Sequence, residues 1–275
     1  MSHLLRATSA KSKGPWRDAG ALFAWGALVL AALAQIAGGA LPVILGLAMF
    51  LAGLAHGAGE EEDGRIASLS PVLVAAYLVV GASVAALFLA APLAGLALFL
   101  ALSAWHFTHS DGSFGQFARA AIAALAIGGS ALFRPRGTRE TFELVTGGHV
   151  PEAMIATLAI AGGLGLVLAV ASLWKNQRGC GEAALAALAV LAFEPVLAVG
   201  TIFLVGHALP VQRRQIARYG VSAVWRAVAL PTAVATVGAV GLIVAVGAGL
   251  LTLEIAIALA FGLATPHMLT ERLER

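Results

Sequence analysis

One cysteine in 275 residues, Cys180 in the polar stretch WKNQRGCGE, excludes an internal disulfide and any CxxC metal or redox motif. Charge is equally scarce. Asp, Glu, Lys and Arg make up 11% of the chain, against roughly 25% in soluble domains. The net charge is only +3, and the basic residues sit in short loops without interleaved aromatics, which argues against nucleic acid as a partner. The signatures of soluble enzymes are missing too: there is no GxSxG nucleophile elbow, no HExxH zinc helix, no P-loop and no GxGxxG after a strand. The first stretch, MSHLLRATSAKSKGPWRDAG, is basic and has no apolar core ahead of a small-residue cleavage site, so it reads as a cytoplasmic leader rather than a signal peptide.

What is present is apolar. Hydrophobic residues make up 60% of the chain, and they come in long runs without the polar alternation of a barrel. Backbone groups in lipid must be satisfied within each segment, so the composition implies helices, and the 32 glycines suit close contacts between them. The fold class expected is all-α, a polytopic transmembrane bundle of 8 to 10 membrane helices. Residues 1–18 form a cytoplasmic N-terminal tail and residues 19–275 a single integral membrane domain. Ten apolar segments can be marked, at about residues 19–37, 41–58, 67–90, 92–108, 117–133, 152–174, 182–193, 195–211, 222–247 and 249–268. The seventh is short, and Glu194 and Pro195 leave open whether it and the eighth are one kinked helix or two. With ten crossings and a cytoplasmic N-terminus, Lys175, Arg178, Arg213, Arg214, Arg218, Arg272 and Arg275 all fall inside, and only Arg134, Arg136 and Arg139 dissent. The location expected is the inner (plasma) membrane, in contact with the lipid bilayer.

Seven histidines stand out against this background. His3 in the tail and His149 in TGGHVPE read as solvated residues. The other five lie toward the ends of four different segments: His56 in segment two, His106 and His109 in segment four, His207 in segment eight and His267 in segment ten. All four segments run from outside to inside in the charge-derived topology, so imidazoles from separate helices share one depth. Ionisable groups inside a membrane are costly and tend to mark function. Clustered imidazoles suit iron, copper, zinc or nickel, whereas magnesium and calcium prefer oxygen ligands. Glu60, four positions after His56, and Asp111, five after His106, are candidate carboxylates for orienting these rings through their second nitrogen. Glu61 and Glu62 read as solvated loop residues. Trp105 and Phe107 flank His106, and with Phe99 and Phe114 they are candidates for an apolar pocket.

The segments LAHGAGEEEDG, SAWHFTHSDG, FLVGHALPVQRR and ATPHMLTER, in this order, resemble the Brp/Blh family of integral membrane β-carotene 15,15′-dioxygenases. The resemblance implies a non-haem Fe(2+) centre held by histidines that uses O2 to cleave the central double bond of β-carotene into two molecules of retinal, the chromophore of microbial rhodopsins. It assigns the metal and catalytic roles to His56, His106, His207 and His267. The family commonly carries HxxxH where this chain has His207 and Val211, and His109 stands where the family more often has an acidic or small residue. Either His109 or His267 completes the shell, or the chemistry has diverged. The competing readings are another membrane metal oxygenase, such as a desaturase or hydroxylase, and a non-enzymatic bundle whose histidines bind haem or serve a transporter.

Overall fold

In the computed structural model, described over residues 15–57, 60–62, 65–67, 71–110 and 112–270, the chain is helical apart from one short hairpin. The elements are α1 (Pro15–Ala37), α2 (Leu41–Gly53), β1 (Glu60–Glu62), β2 (Arg65–Ala67), α3 (Pro71–Ala90), α4 (Pro92–Ser110), α5 (Gln116–Ala124), α6 (Ser130–Phe133), α7 (Pro135–Thr146), α8 (Glu152–Trp174), α9 (Cys180–Ala192), α10 (Pro195–Thr201), α11 (Leu209–Tyr219), α12 (Val221–Gly247) and α13 (Leu253–Thr270). Two π-helical segments make longer rods of these. Leu125–Gly129 joins α5 to α6, and Ile202–Ala208 joins α10 to α11.

Four rods are long and apolar enough to cross a membrane: Gln116–Phe133, Glu152–Trp174, Pro195–Tyr219 and Val221–Gly247. Shorter apolar helices run over Leu22–Ala37, Leu41–Gly57, Val74–Ala90, Cys180–Ala192 and Leu253–Pro266. With the composition, these make the chain a helical membrane protein. Large apolar side chains such as Ile36, Ile160, Val237 and Leu250 are exposed, as expected of a surface that meets lipid instead of water.

The break at Glu194 resolves as two helices. Phe193 is extended, Glu194 takes the cap position, and Pro195 opens α10, where its missing N–H removes no helical hydrogen bond. The polar link after segment five is not a loop: α7 is a twelve-residue helix, and it carries two of the dissenting arginines. Arg139 pairs with Glu152 at 3.0 Å, and Arg134, just before α7, donates to the Val190 carbonyl at 2.9 Å. These arginines are held by local partners.

Glycine decides how closely the rods approach. A Cβ on Gly46 of α2 would stand 2.7 Å from the Val196 carbonyl oxygen of α10, and one on Gly200 2.5 Å from the oxygen of Gly46. Only glycine allows this pair of backbones to touch. Thr201 secures the same contact, donating to the Leu197 carbonyl and to the Met49 sulfur at 3.3 Å. Small residues dominate the main core as well, where Ala118, Ala121, Ala183, Ala186 and Ala189 pack around Leu125 and Leu197.

Candidate metal centre

Three histidines meet in the interior. The Nε2 atoms of His106 and His207 are 3.1 Å apart, and those of His207 and His56 are 3.2 Å apart. One ligand atom from each of the three lies within 4.8 Å of the others, and among the described residues no other group of His, Cys, Asp or Glu converges in this way. All three side chains are buried, at 6% exposure for His56, 3% for His106 and 2% for His207.

Each imidazole arrives on a different kind of helix. His106 sits on regular α4, one turn before its end. His56 lies past the end of α2, on a 3-10 turn over Leu54–Gly57. His207 belongs to the π segment, a form that appears mostly as short bulges and often at functional sites because it re-aims a side chain without ending the helix. The His56 Nδ1 donates to the Gly53 carbonyl, which fixes the tautomer and leaves the Nε2 lone pair facing the other two rings.

Aromatic rings close the surroundings. Phe203 meets His56 edge-on at 5.3 Å between centroids, Phe107 lies 4.6 Å from His207, and Phe50 packs on Phe203 at 5.2 Å. Gly53 makes room for this wall, since a Cβ there would run into the Phe203 ring. On another side Ala55 is buried against Val224, Ala227 and Val228 at the start of α12. Gln215, buried on α11, donates from Nε2 to the His56 carbonyl at 3.4 Å.

The remaining candidates are placed differently. His109 does not join the group: its Nδ1 donates to the Trp105 carbonyl at 2.7 Å, and its ring packs on the Trp105 indole. Three positions along an α-helix turn it about 60° away from His106. The side chain of His267 lies outside the described residues, but its backbone is placed on α13, and the next residue, Met268, accepts from Ser103, one turn before His106, at 3.7 Å. Asp111 lies outside the described residues. Glu60 is not one helical turn beyond His56, because the helix has already ended and Glu60 pairs with Ala67 in the hairpin; its side chain lies outside those described. Glu61 and Glu62, read as loop, are strand residues opposite Ile66 and Arg65. His149 is exposed and bonds Glu143 at 3.2 Å. Of the expected pocket aromatics, Phe107 packs on His207 and Trp105 on His109; Phe99 stacks on Phe261 at 4.1 Å, and Phe114 packs under Gly179.

Sequence reasoning missed Phe203, Gly53 and Gln215. The signal available for Gln215 was its position, a polar residue eight places after His207 on the same helix.

Two of the three separations match a shared metal, and the third pair, His56 and His106, stands wider, within 4.8 Å, with ring centroids 6.3 Å apart. Two imidazole nitrogens each about 2.1 Å from one ion stand roughly 3.0 to 3.4 Å apart at octahedral to tetrahedral angles, and 3.1 and 3.2 Å fall in that interval. No curated protein and no solved structure matches the chain. A family model described as Beta-carotene 15,15'-dioxygenase matches residues 47–273, a stretch that holds His56, His106, His207 and His267, and the chain therefore belongs to this dioxygenase family.

Proposed function

We propose that the chain is a carotenoid central-cleavage dioxygenase, converting β-carotene and O2 into two molecules of retinal. The observation that carries this reading is the convergence of three buried imidazole nitrogens inside a helical membrane protein of this family. His56, His106 and His207 would hold Fe(2+), with His267 on α13 as the candidate for a further position. Bound there, the iron would supply the redox chemistry that O2 needs to react with a hydrocarbon.

The chain's own part is to bind, orient and keep dry. A C40 hydrocarbon is dissolved in the bilayer, so a site within the membrane receives it without drawing it through water. Phe203, Phe107 and Phe50 present apolar faces beside the histidines, suited to holding a polyene and excluding water. Both atoms of O2 end in products, one in each aldehyde, so the overall reaction needs no external proton or reductant. Among the described residues no carboxylate converges with the three histidines, which fits that stoichiometry.

We place the protein in the plasma membrane as one multi-pass domain with its N-terminus cytoplasmic, and its retinal is suited to delivery to a rhodopsin. The test is purification in detergent, metal analysis, and an assay of retinal formation from β-carotene under O2. One iron per chain and O2-dependent retinal are expected. Chelation should abolish activity, and Fe(2+) but not Mg2+ should restore it. An iron-loaded, folded sample that forms no retinal would overturn the substrate assignment.

A further inference from the structure

α2 gives out before it reaches the site. Its α-helical bonding stops at Gly53, and His56 rides on the following 3-10 turn. Hydrogen bonds in such turns are poorer, and the last carbonyls of a helix have no partner within it. His106, by contrast, is held within an α-helix that runs a further turn. A ligand on a terminal turn needs an outside tether to hold its position to a few tenths of an ångström.

Gln215 supplies one. Its Nε2 donates to the His56 carbonyl at 3.4 Å, and the side chain is 3% exposed. It lies on the helix that emerges from the π segment, so a single rod, Pro195–Tyr219, meets His56 at both ends: the ring through His207 Nε2 and the backbone through Gln215. Glutamine fits the task chemically. Asparagine is shorter by one carbon, about 1.5 Å, methionine fills the space without donating, and lysine would bring a charge into the interior.

We propose that Gln215 is a positioning residue for the metal centre, holding the His56 turn so that His56 Nε2 stands in register with His106 and His207. The proposal rests on the reading of these three histidines as metal ligands. Its test is titration of the full-length protein in detergent with Co2+ alone, whose visible d–d absorption reports ligand geometry. Wild type binds Co2+. Gln215→Met keeps the helical circular dichroism of wild type but binds Co2+ about 10- to 100-fold more weakly, as orienting partners of ligands do, with a shifted d–d band. Ser172→Ala removes an equally buried hydroxyl, bonded to the Ala169 carbonyl on α8, and leaves both band and affinity unchanged. Should Gln215→Met fail to fold, Gln215→Asn takes its place with the same expectation. Unchanged affinity and band in the Gln215 variant, or an equal loss in Ser172→Ala, overturns the positioning role alone. Absence of Co2+ binding to wild type overturns the metal reading, and this proposal with it.

Discussion

Two consecutive rods, Pro195–Tyr219 and Val221–Gly247, are nearly equal in length, 25 and 27 residues, and both are apolar enough to span a membrane. Their surroundings are opposite. In the first, 67% of the most apolar stretch is buried in protein; in the second, 11%. The first contains a π segment, a histidine of the three-ring cluster and a glycine at backbone contact with α2. The second is α-helical throughout, even across Pro231, and shows Val234, Val237, Val240 and Val244 outward. Irregular backbone at membrane depth survives where protein encloses it, and a lipid-facing rod has to satisfy its own hydrogen bonds. The distorted rod is therefore the one that can carry chemistry.

Substitutions paired across the two rods test this contrast. His207→Ala on the inner rod is expected to have the largest effect, removing essentially all bound iron and retinal formation; metal analysis beside an activity assay reads it, and full iron occupancy would discard His207 as a ligand. Next comes Val237→Arg on the outer rod. A charge facing lipid near mid-helix costs about 2.5 to 3.5 kcal/mol of insertion free energy, measurable as loss of membrane-integrated protein, and normal integration would mean that this face is not in lipid. Gly200→Val is a smaller perturbation. Overpacking the α2 contact costs on the order of 1 to 3 kcal/mol, read as a lower melting temperature in detergent. Gly238→Ala is the least of all and of opposite sign: a Cβ there meets nothing within 4 Å, and the substitution within a helix should stabilise by about 0.4 to 1 kcal/mol, read as a slightly higher melting temperature.

The two rods also show what the sequence could and could not reveal. Both were visible as apolar runs, and the Glu194-Pro195 pair marked where α9 gives way to α10, because proline is suited to a helix's first turn. His56, His106 and His207 could be picked out because imidazole is rare in such runs. The π segment could not. In an Ala-, Leu- and Val-rich stretch every face is apolar, so the change from 3.6 residues per turn leaves no periodic trace in IFLVGHA. Which rod lies inside was hidden for the same reason. No apolar run marks α7, whose polarity contrasts with the neighbouring spans, yet PRGTRETFELVT opens with proline and stops at Gly147, which has a positive φ of 65°. Glu60 was placed by assuming that α2 continues, and the glycines of HGAGEEEDG argue against that continuation. His109 and His106 are neighbours in sequence, but they part on the helix surface, and that separation emerged only once α4 was built.

The π segment has a mechanical meaning as well. A π turn amounts to one extra residue threaded into an α-helix, and one residue corresponds to about 100° of rotation. The wider turn takes up that residue, so α10, keyed to α2 by its glycine, and α11, which carries Gln215, keep the phase of an unbroken rod while the side chains between them are re-aimed. Deleting a single residue between Ile202 and Ala208 would leave a helix just as apolar and almost as long, still able to cross a membrane. It would close the bulge, leave α11 and Gln215 in phase with α10, and shift the side chains within the segment, His207 among them.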